Sequence, residues 1–66
     1  MCETKIYVEE DGSLKLIAEE VIYIRKNGDR IEAYRIDGDN VKIQGYEIKY
    51  IDFMTSKVVL TRLSSS

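Results

Sequence analysis

The sequence lacks the residues that most often stabilise or activate a chain of this size. Its 66 residues include one cysteine and no histidine, proline or tryptophan. One cysteine excludes a disulfide within the chain, and an all-cysteine zinc site needs four thiolates. Without histidine, neither a Ser-His-Asp triad nor a Cys-His pair can form within one chain. We therefore predict that the protein is not an enzyme.

The short chain also leaves little room for a core. A domain of about 60 residues buries only about 60% of the surface that its unfolded chain exposes. Small domains usually compensate with disulfides, a metal or a partner subunit. We predict a single domain over residues 1–63, a polar tail of three serines over residues 64–66, and a homodimer.

Charge of one sign and long apolar runs are also scarce. Ten Lys and Arg oppose twelve Asp and Glu, which gives a net charge of −2. Nucleic-acid-binding domains usually carry a basic patch, so nucleic acid is disfavoured as a partner. No apolar run approaches the roughly 18 residues of a membrane span, and the first residues do not resemble a signal peptide. We expect no membrane association, and a free thiol without an export signal indicates a cytoplasmic protein.

The residues that are present favour β-strands. Nine Ile and five Val outnumber four Leu and two Ala, and β-branched side chains suit strands better than helices. Turn signals occur at Asp11-Gly12, Asn27-Gly28 and Asp37-Gly38. Their spacing of roughly 10 to 16 residues is typical of small β-structures. The fold class predicted is all-β, a small antiparallel barrel of about six strands, SH3-like or Sm-like.

Alternation within the strands adds detail. One face of the first strand holds Cys2, Thr4, Ile6 and Val8. Residues 46–53 change the parity of their apolar positions, which predicts a bulge. Residues 14–24 could instead form an amphipathic helix, although their Ile and Val content and the following Asn-Gly favour a strand.

The position of the only cysteine is the sharpest chemical feature. Thiolate is a soft ligand for nickel, copper(I), zinc or cobalt. The Cys2 sulfur can close a five-membered chelate ring with its own amine, or with its amide nitrogen if Met1 is retained. Two chains that meet at their N-termini would supply two sulfur and two nitrogen donors, a set that suits a square-planar metal. Alternatively, Cys2 is simply a small apolar residue on the inner face of its strand.

Other candidates have simpler explanations. Residues 9–11 could bind a hard cation, but a solvated hairpin turn explains their acidity. Residues 37–40 resemble the start of a calcium loop but lack its register and closing Glu, so a β-turn is favoured. The tyrosines, interleaved with Lys and Arg, could stack on single-stranded RNA. Packing at a barrel rim or dimer interface is the alternative for these tyrosines. They are Tyr7, Tyr23, Tyr34, Tyr46 and Tyr50.

Several of these segments together resemble the CooT family of small nickel-binding proteins. The resemblance begins with Met1-Cys2-Glu3, an apolar strand ending in Val8 and the Asp11-Gly12 turn. It continues with Glu20-Val21, Ile24 and Asn27-Gly28. It ends with Gly45-x-x-Ile48-x-x-Ile51-Asp52 and Val58-Val59-Leu60.

This resemblance implies a homodimer of small β-barrels that binds one nickel ion through the cysteine after the start methionine. Cys2 occupies that position, and Met1 and Glu3 are further possible donors. Family members can carry histidines that assist the metal, whereas this chain has none. Similar sequences have also been described as RNA-binding.

We therefore expect a nickel(II) chaperone or store that supports a client nickel enzyme such as a carbon-monoxide dehydrogenase. Another soft or borderline divalent metal could occupy the same donors. An RNA-binding β-barrel module is the alternative function.

Overall fold

The part of the chain that the structure describes is built entirely from strands and turns. A computed structural model describes residues 3–63, which contain six strands and no helix. The strands are β1 (Thr4–Glu10), β2 (Ser13–Asn27), β3 (Arg30–Arg35), β4 (Asn40–Gln44), β5 (Tyr46–Asp52) and β6 (Lys57–Arg62). The predicted all-β fold class is confirmed. The predicted serine tail lies outside the described residues.

The first two predicted hairpins form, with one change of register. Asp11 and Gly12 connect β1 to β2 with φ angles of 53° and 79°, the left-handed conformation that a two-residue hairpin requires. The second turn is displaced by one residue, because Asn27 pairs with Arg30 across the ladder. Its central residues are therefore Gly28 and Asp29, and the glycine adopts the positive φ.

The helical alternative for residues 14–24 is wrong, because they lie within the 15-residue strand β2. This strand bends at Glu20, whose φ of 59° is unusual for a residue with a side chain. The registers with both neighbouring strands shift close to this bend. The half of β2 before the bend therefore pairs with β1, and the half after it pairs with β3 on the opposite side.

The sheet runs in the order β4-β3-β2-β1-β6-β5. All its pairs are antiparallel except β1 with β6, which is parallel. The predicted antiparallel arrangement therefore holds for every pair but this one, since β6 lies beside β1 after a long excursion of the chain. The predicted bulge in residues 46–53 is present, because the register of β5 against β6 shifts between Ile48 and Tyr50.

One glycine joins the two edges of the sheet. β4 and β5 are the edge strands, yet only Gly45, with a φ of 87°, separates them in the chain. The N–H of Gly45 donates to the carbonyl of Asp29 at 3.1 Å, and its carbonyl accepts from the N–H of Leu63 at 2.9 Å. The sheet therefore curls back on itself at this end, although β4 and β5 remain its two edges.

The inside of this curved sheet is apolar. Among residues 3–63 no polar or charged residue is buried. Alternation in β1 places Ile6 and Val8 inside, as predicted from their shared parity. The buried cluster consists of Ile6, Val8, Ala18, Val21, Ile31, Ala33, Ile43, Val58 and Leu60.

Candidate functional site at the start of the first strand

One of the predicted metal ligands, Glu3, lies at the start of β1. Cys2 and Met1 lie outside the described residues. Glu3 is the first described residue, and its side chain is exposed just before Thr4 begins the strand. The Glu3 carboxylate could reach a metal ion bound near the N-terminus. It is a hard oxygen donor, however, and a nickel ion that already has thiolate ligands favours softer donors.

Two neighbouring segments fix the position of this strand end. Thr4 pairs with Val21 of β2, and Lys5 pairs with Lys57 of β6. The N–H of Lys5 also donates to the carbonyl of Ser56 at 3.0 Å. The start of β1 is therefore held against the turn that joins β5 to β6.

An apolar cleft lies beside this strand end. It has a volume of about 400 Å³ between β2 and the β5–β6 hairpin. We call it the N-terminal cleft and define it by Thr4, Ile22, Tyr23, Ile24, Ile51 and Phe53. Ile22 and Tyr23 keep 58% and 56% of their surface exposed. Thr4 therefore lies at the border of an exposed apolar surface.

The turn at the edge of this cleft presents two further apolar side chains. Phe53 is 87% exposed and Met54 is 94% exposed. The Asp52 carboxylate accepts hydrogen bonds from the N–H groups of Met54, at 3.0 Å, and Thr55, at 3.3 Å. These bonds, with that from Thr55 the strongest influence, hold the pKa of the Asp52 carboxyl below its ordinary value. The turn is consequently fixed by its own side chain.

Acidic residues away from this end are engaged in ion pairs. Glu9 pairs with Lys49, and Glu10 lies 3.5 Å from the Arg62 guanidinium. The Tyr46 hydroxyl also donates to Glu10 at 3.4 Å. Glu9 and Glu10 thus end β1 and Asp11 begins the hairpin turn, and cationic side chains of the protein lie beside two of the three carboxylates. This arrangement agrees with the hairpin interpretation of residues 9–11. Within residues 3–63 no three Cys, Asp or Glu side chains lie close enough together to hold a metal ion.

A second cleft, of about 460 Å³, is lined in part by Leu16, Glu19 and Arg35. Its arginine has internal partners. The Arg35 Nε donates to the carbonyl of Glu19 at 3.1 Å, and its guanidinium lies 3.8 Å from carboxylate oxygens of Glu20, Asp37 and Asp39. Residues 37–39 therefore lie in the connection between β3 and β4, which Arg35 holds against β2, and Asn40 begins β4. This agrees with the β-turn interpretation. The Arg35 guanidinium in this cleft is therefore already occupied by acceptors of the protein itself and is not free to bind an anion.

The tyrosines are spread over several contacts. Tyr23 and Tyr34 face each other across β2 and β3 with ring centroids 5.4 Å apart. The Tyr34 hydroxyl donates to Glu32 at 3.2 Å, and this bond raises the pKa of the tyrosine. Tyr7 and Tyr46 each lie 5.9 Å from a cation, on Lys57 and Arg62 respectively. These contacts fit packing and ion pairing better than a continuous stacking platform.

Comparison with known proteins identifies the relatives of this fold and sequence. The family model of the CO dehydrogenase accessory protein CooT matches residues 1–61. The chain belongs to the CooT family. A crystal structure described as a candidate CooT protein of Carboxydothermus hydrogenoformans superposes with a TM-score of 0.84 at 19% sequence identity. The match covers 96% of this chain and 100% of the other, so the CooT-family fold extends over nearly the whole length. No curated protein matched the sequence.

Sequence reasoning did not single out Phe53 and Met54 as surface residues of interest. The available signal was an apolar pair at the end of the segment, residues 46–53, in which a bulge was predicted. In the structure Phe53 and Met54 lie in the turn between β5 and β6, so the pair points away from the core. No helix among the described residues of this CooT-family chain could cross a membrane.

Proposed function

We propose that two copies of this CooT-family chain hold one nickel(II) ion through their Cys2 thiolates and adjacent nitrogen atoms. The dimer would act as a nickel chaperone or store that supports the maturation of a carbon-monoxide dehydrogenase. The observation that carries this proposal is the family match, which includes Cys2 and covers residues 1–61. An accessory role also agrees with the prediction that the chain is not an enzyme.

Donor chemistry supports a shared site. One chain offers a single thiolate, and square-planar nickel needs four donors. Two chains would provide two sulfurs and two nitrogens, the nitrogens coming from the Cys2 backbone or the Met1 amine. Glu3 would supply a carboxylate only as an additional, weaker donor. Copper(II) would bind such donors at least as tightly, so nickel loading in the cell would depend on metal availability and geometry.

The position of the strand end is compatible with sharing. A span of two residues covers at most about 7 Å, so Cys2 must lie within that reach of Thr4. Because Thr4 borders an exposed cleft rather than the core, a second chain can approach the same place without unfolding either copy.

Nickel titration calorimetry of the wild type and Cys2→Ser tests the metal site. We expect one nickel per two wild-type chains, a thiolate-to-nickel charge-transfer absorption, and no tight binding in Cys2→Ser with an unchanged circular dichroism spectrum. Glu9→Gln is a matched control, because Glu9 lies at the other end of β1 and its carboxylate pairs with Lys49 of β5. Equal nickel affinity in the wild type and Cys2→Ser would contradict the proposal.

The client role needs a separate measurement. Co-expression of the chain with a nickel carbon-monoxide dehydrogenase should raise the nickel content of the enzyme, and Cys2→Ser should remove that gain. Binding of short RNA that weakens steeply with salt and survives Cys2→Ser would instead favour the RNA-binding function.

A further inference from the structure

The turn between β2 and β3 carries the only Asn-Gly pair of the sequence. Asn27 is the last residue of β2, and Arg30 is its partner across the ladder. Asn27 and Gly28 are both exposed, and a Cβ atom built at Gly28 would meet nothing within 4 Å. This turn is therefore open to water on the side of the glycine.

An asparagine that precedes a glycine can react with its own backbone. The attacking atom is the nitrogen of the following residue, and glycine has no side chain that would crowd this nitrogen or restrict its approach. Within residues 3–63, the backbone hydrogen bonds outside the strands include none that the N–H of Gly28 donates. The proton of this N–H is therefore accessible to hydroxide ion from the solvent.

A lysine next to the pair adds a positive charge at this place. The Lys26 ammonium donates a hydrogen bond to the carbonyl oxygen of Gly28 at 2.9 Å. It thus lies beside the residue whose nitrogen becomes negative when it loses its proton. Opposite charges attract at this separation, although water weakens the attraction at an exposed site. Lys26 therefore stabilises the reactive form of the Gly28 nitrogen.

We propose that Asn27 is a site of spontaneous deamidation, in which the Gly28 nitrogen displaces ammonia from the Asn27 side chain. The Gly28 nitrogen gives its proton to hydroxide and forms a bond to Cγ of Asn27. The bond from Cγ to Nδ2 breaks, and Nδ2 takes a proton from water and leaves as ammonia. Water then opens the five-membered succinimide ring at either carbonyl, which yields aspartate or isoaspartate. No atom is oxidised or reduced.

The other amide side chains of the sequence are placed less favourably. Asn40 precedes Val41, whose β-branched side chain crowds the nitrogen that would attack. Gln44 precedes Gly45, but its longer side chain would have to close a six-membered ring. The N–H of Gly45 is also already donated to the carbonyl of Asp29. Asn27 should therefore react first.

Isoaspartate at position 27 would affect the fold beyond the turn itself. It routes the main chain through the former side chain and so lengthens the main chain by one methylene group. The pair of Asn27 with Arg30, which closes the turn, cannot keep its register after this change. The same turn holds Asp29, whose carbonyl accepts the 3.1 Å hydrogen bond from Gly45. Because Gly45 joins the two edges of the sheet, formation of isoaspartate should loosen the curl of the sheet.

Incubation of the full chain at a series of pH values, followed by digestion and mass spectrometry, tests the reaction. Electron-transfer fragmentation distinguishes isoaspartate from aspartate. We expect the conversion of Asn27 to accelerate by about tenfold per unit of pH, because the deprotonated fraction of a weak acid grows by that factor below its pKa. Asn40 in the same sample is the internal control and should stay intact. Lys26→Gln should slow the conversion by about two- to fivefold, the effect of losing an exposed charge interaction.

A synthetic peptide of residues 24–31, incubated in parallel, sets the time over which the same pair reacts without the fold. An Asn27 that stays intact in the protein after the peptide has been converted would overturn the proposal. Conversion of Asn27 and Asn40 at equal rates would also overturn it. An unchanged rate in Lys26→Gln would overturn the role of the lysine.

Hydrogen exchange of the Gly45 amide, followed by nuclear magnetic resonance, tests the structural consequence. The isoaspartate form is purified by ion exchange, and Asn27→Asp is the matched control with the same charge and a normal main chain. We expect exchange at Gly45 to be faster by about tenfold or more in the isoaspartate form and by less than about twofold in Asn27→Asp. Equal exchange in both would overturn the coupling between the turn and Gly45. These measurements need no metal, so their outcome is independent of the nickel proposal.

Discussion

The backbone N–H of Lys5 donates a 3.0 Å hydrogen bond to the carbonyl oxygen of Ser56. This bond joins the start of the first strand to the last residue of the β5–β6 turn. Ser56 adopts a φ of 54°, so the turn reaches this position through a left-handed residue that is not glycine. The start of β1 and the turn that carries Phe53 and Met54 are thereby parts of one local structure.

The first prediction concerns the Asp52 cap of this turn. Hydrogen bonds from Thr55 and Met54 favour the ionised carboxyl, so its folded-state pKa lies below the model-compound value of 3.8. A lowered folded pKa stabilises the protein above the unfolded pKa, and this contribution is lost as pH falls through the folded pKa. We expect the stability difference between the wild type and Asp52→Asn to be constant above about pH 5 and to shrink below pH 3.8.

Urea unfolding at a series of pH values measures this difference. Glu47→Gln serves as the control, since it removes one negative charge from an exposed residue of the same strand. A stability difference for Asp52→Asn that stays constant down to the lowest pH would show that the carboxylate does not cap the turn.

The second prediction concerns the bend in β2. Glu20 has a φ of 59°, a conformation that is costly for a β-branched side chain. Glu20→Val should therefore destabilise the fold by about 1–2 kcal/mol, the usual cost of a left-handed conformation. Glu19→Val, the neighbouring position without a positive φ, should change stability by less than about 0.5 kcal/mol. Chemical denaturation of the two variants decides the question, and equal losses would argue against a left-handed bend at Glu20.

The third prediction concerns the core. Leu60 is completely buried between its ladder partners, Val8 of β1 and Ile48 of β5. Leu60→Ala should cost about 2–5 kcal/mol, through lost burial and the cavity left behind. A chain of this size has a total stability of only about 3–10 kcal/mol, so a large part of the variant should be unfolded at 37 °C.

Leu16→Ala is the matched control for this substitution. Leu16 is 41% exposed, and its replacement should cost less than about 1 kcal/mol. Thermal melting followed by circular dichroism compares the two variants. A similar loss at both positions would mean that Leu60 is not central to the core.

The fourth prediction concerns the pH dependence of nickel binding. Thiolate and nitrogen ligands must release protons before they bind a metal, so affinity should fall as pH falls. For each proton released, the apparent dissociation constant should rise by about tenfold per unit of pH. Competition titrations against a chelator of known affinity measure this slope, with Cys2→Ser as the reference. An affinity that does not depend on pH would exclude thiolate coordination.

Much of the local structure could be predicted from the sequence. Alternation placed Ile6 and Val8 on the inner face of β1, and the Asp-Gly pair at residues 11–12 gave the first hairpin. The change of parity in residues 46–53 correctly predicted a bulge. These features depend on side-chain periodicity and backbone conformation within a few residues, which the sequence displays directly.

The candidate site was predictable only in its chemistry. Thiolate chemistry singles out Cys2 as the candidate ligand, with Met1 and Glu3 as neighbours, whatever the fold is. Its surroundings depend on contacts between residues far apart in the chain. Ser56 meets Lys5, and Ile22 and Phe53 line one cleft, because the sheet curls and β6 joins β1.

Composition and turn residues alone indicate that this chain forms strands, that its turns favour glycine, and that Cys2 is its single thiol. The parallel pairing of β1 with β6, the continuity of β2 through Glu20, and the exposure of Phe53 and Met54 could be seen only in the folded chain. The physical reason is that periodicity and turn preference act over a few residues. Strand order and surface exposure are instead set by which distant strands together bury the most apolar area.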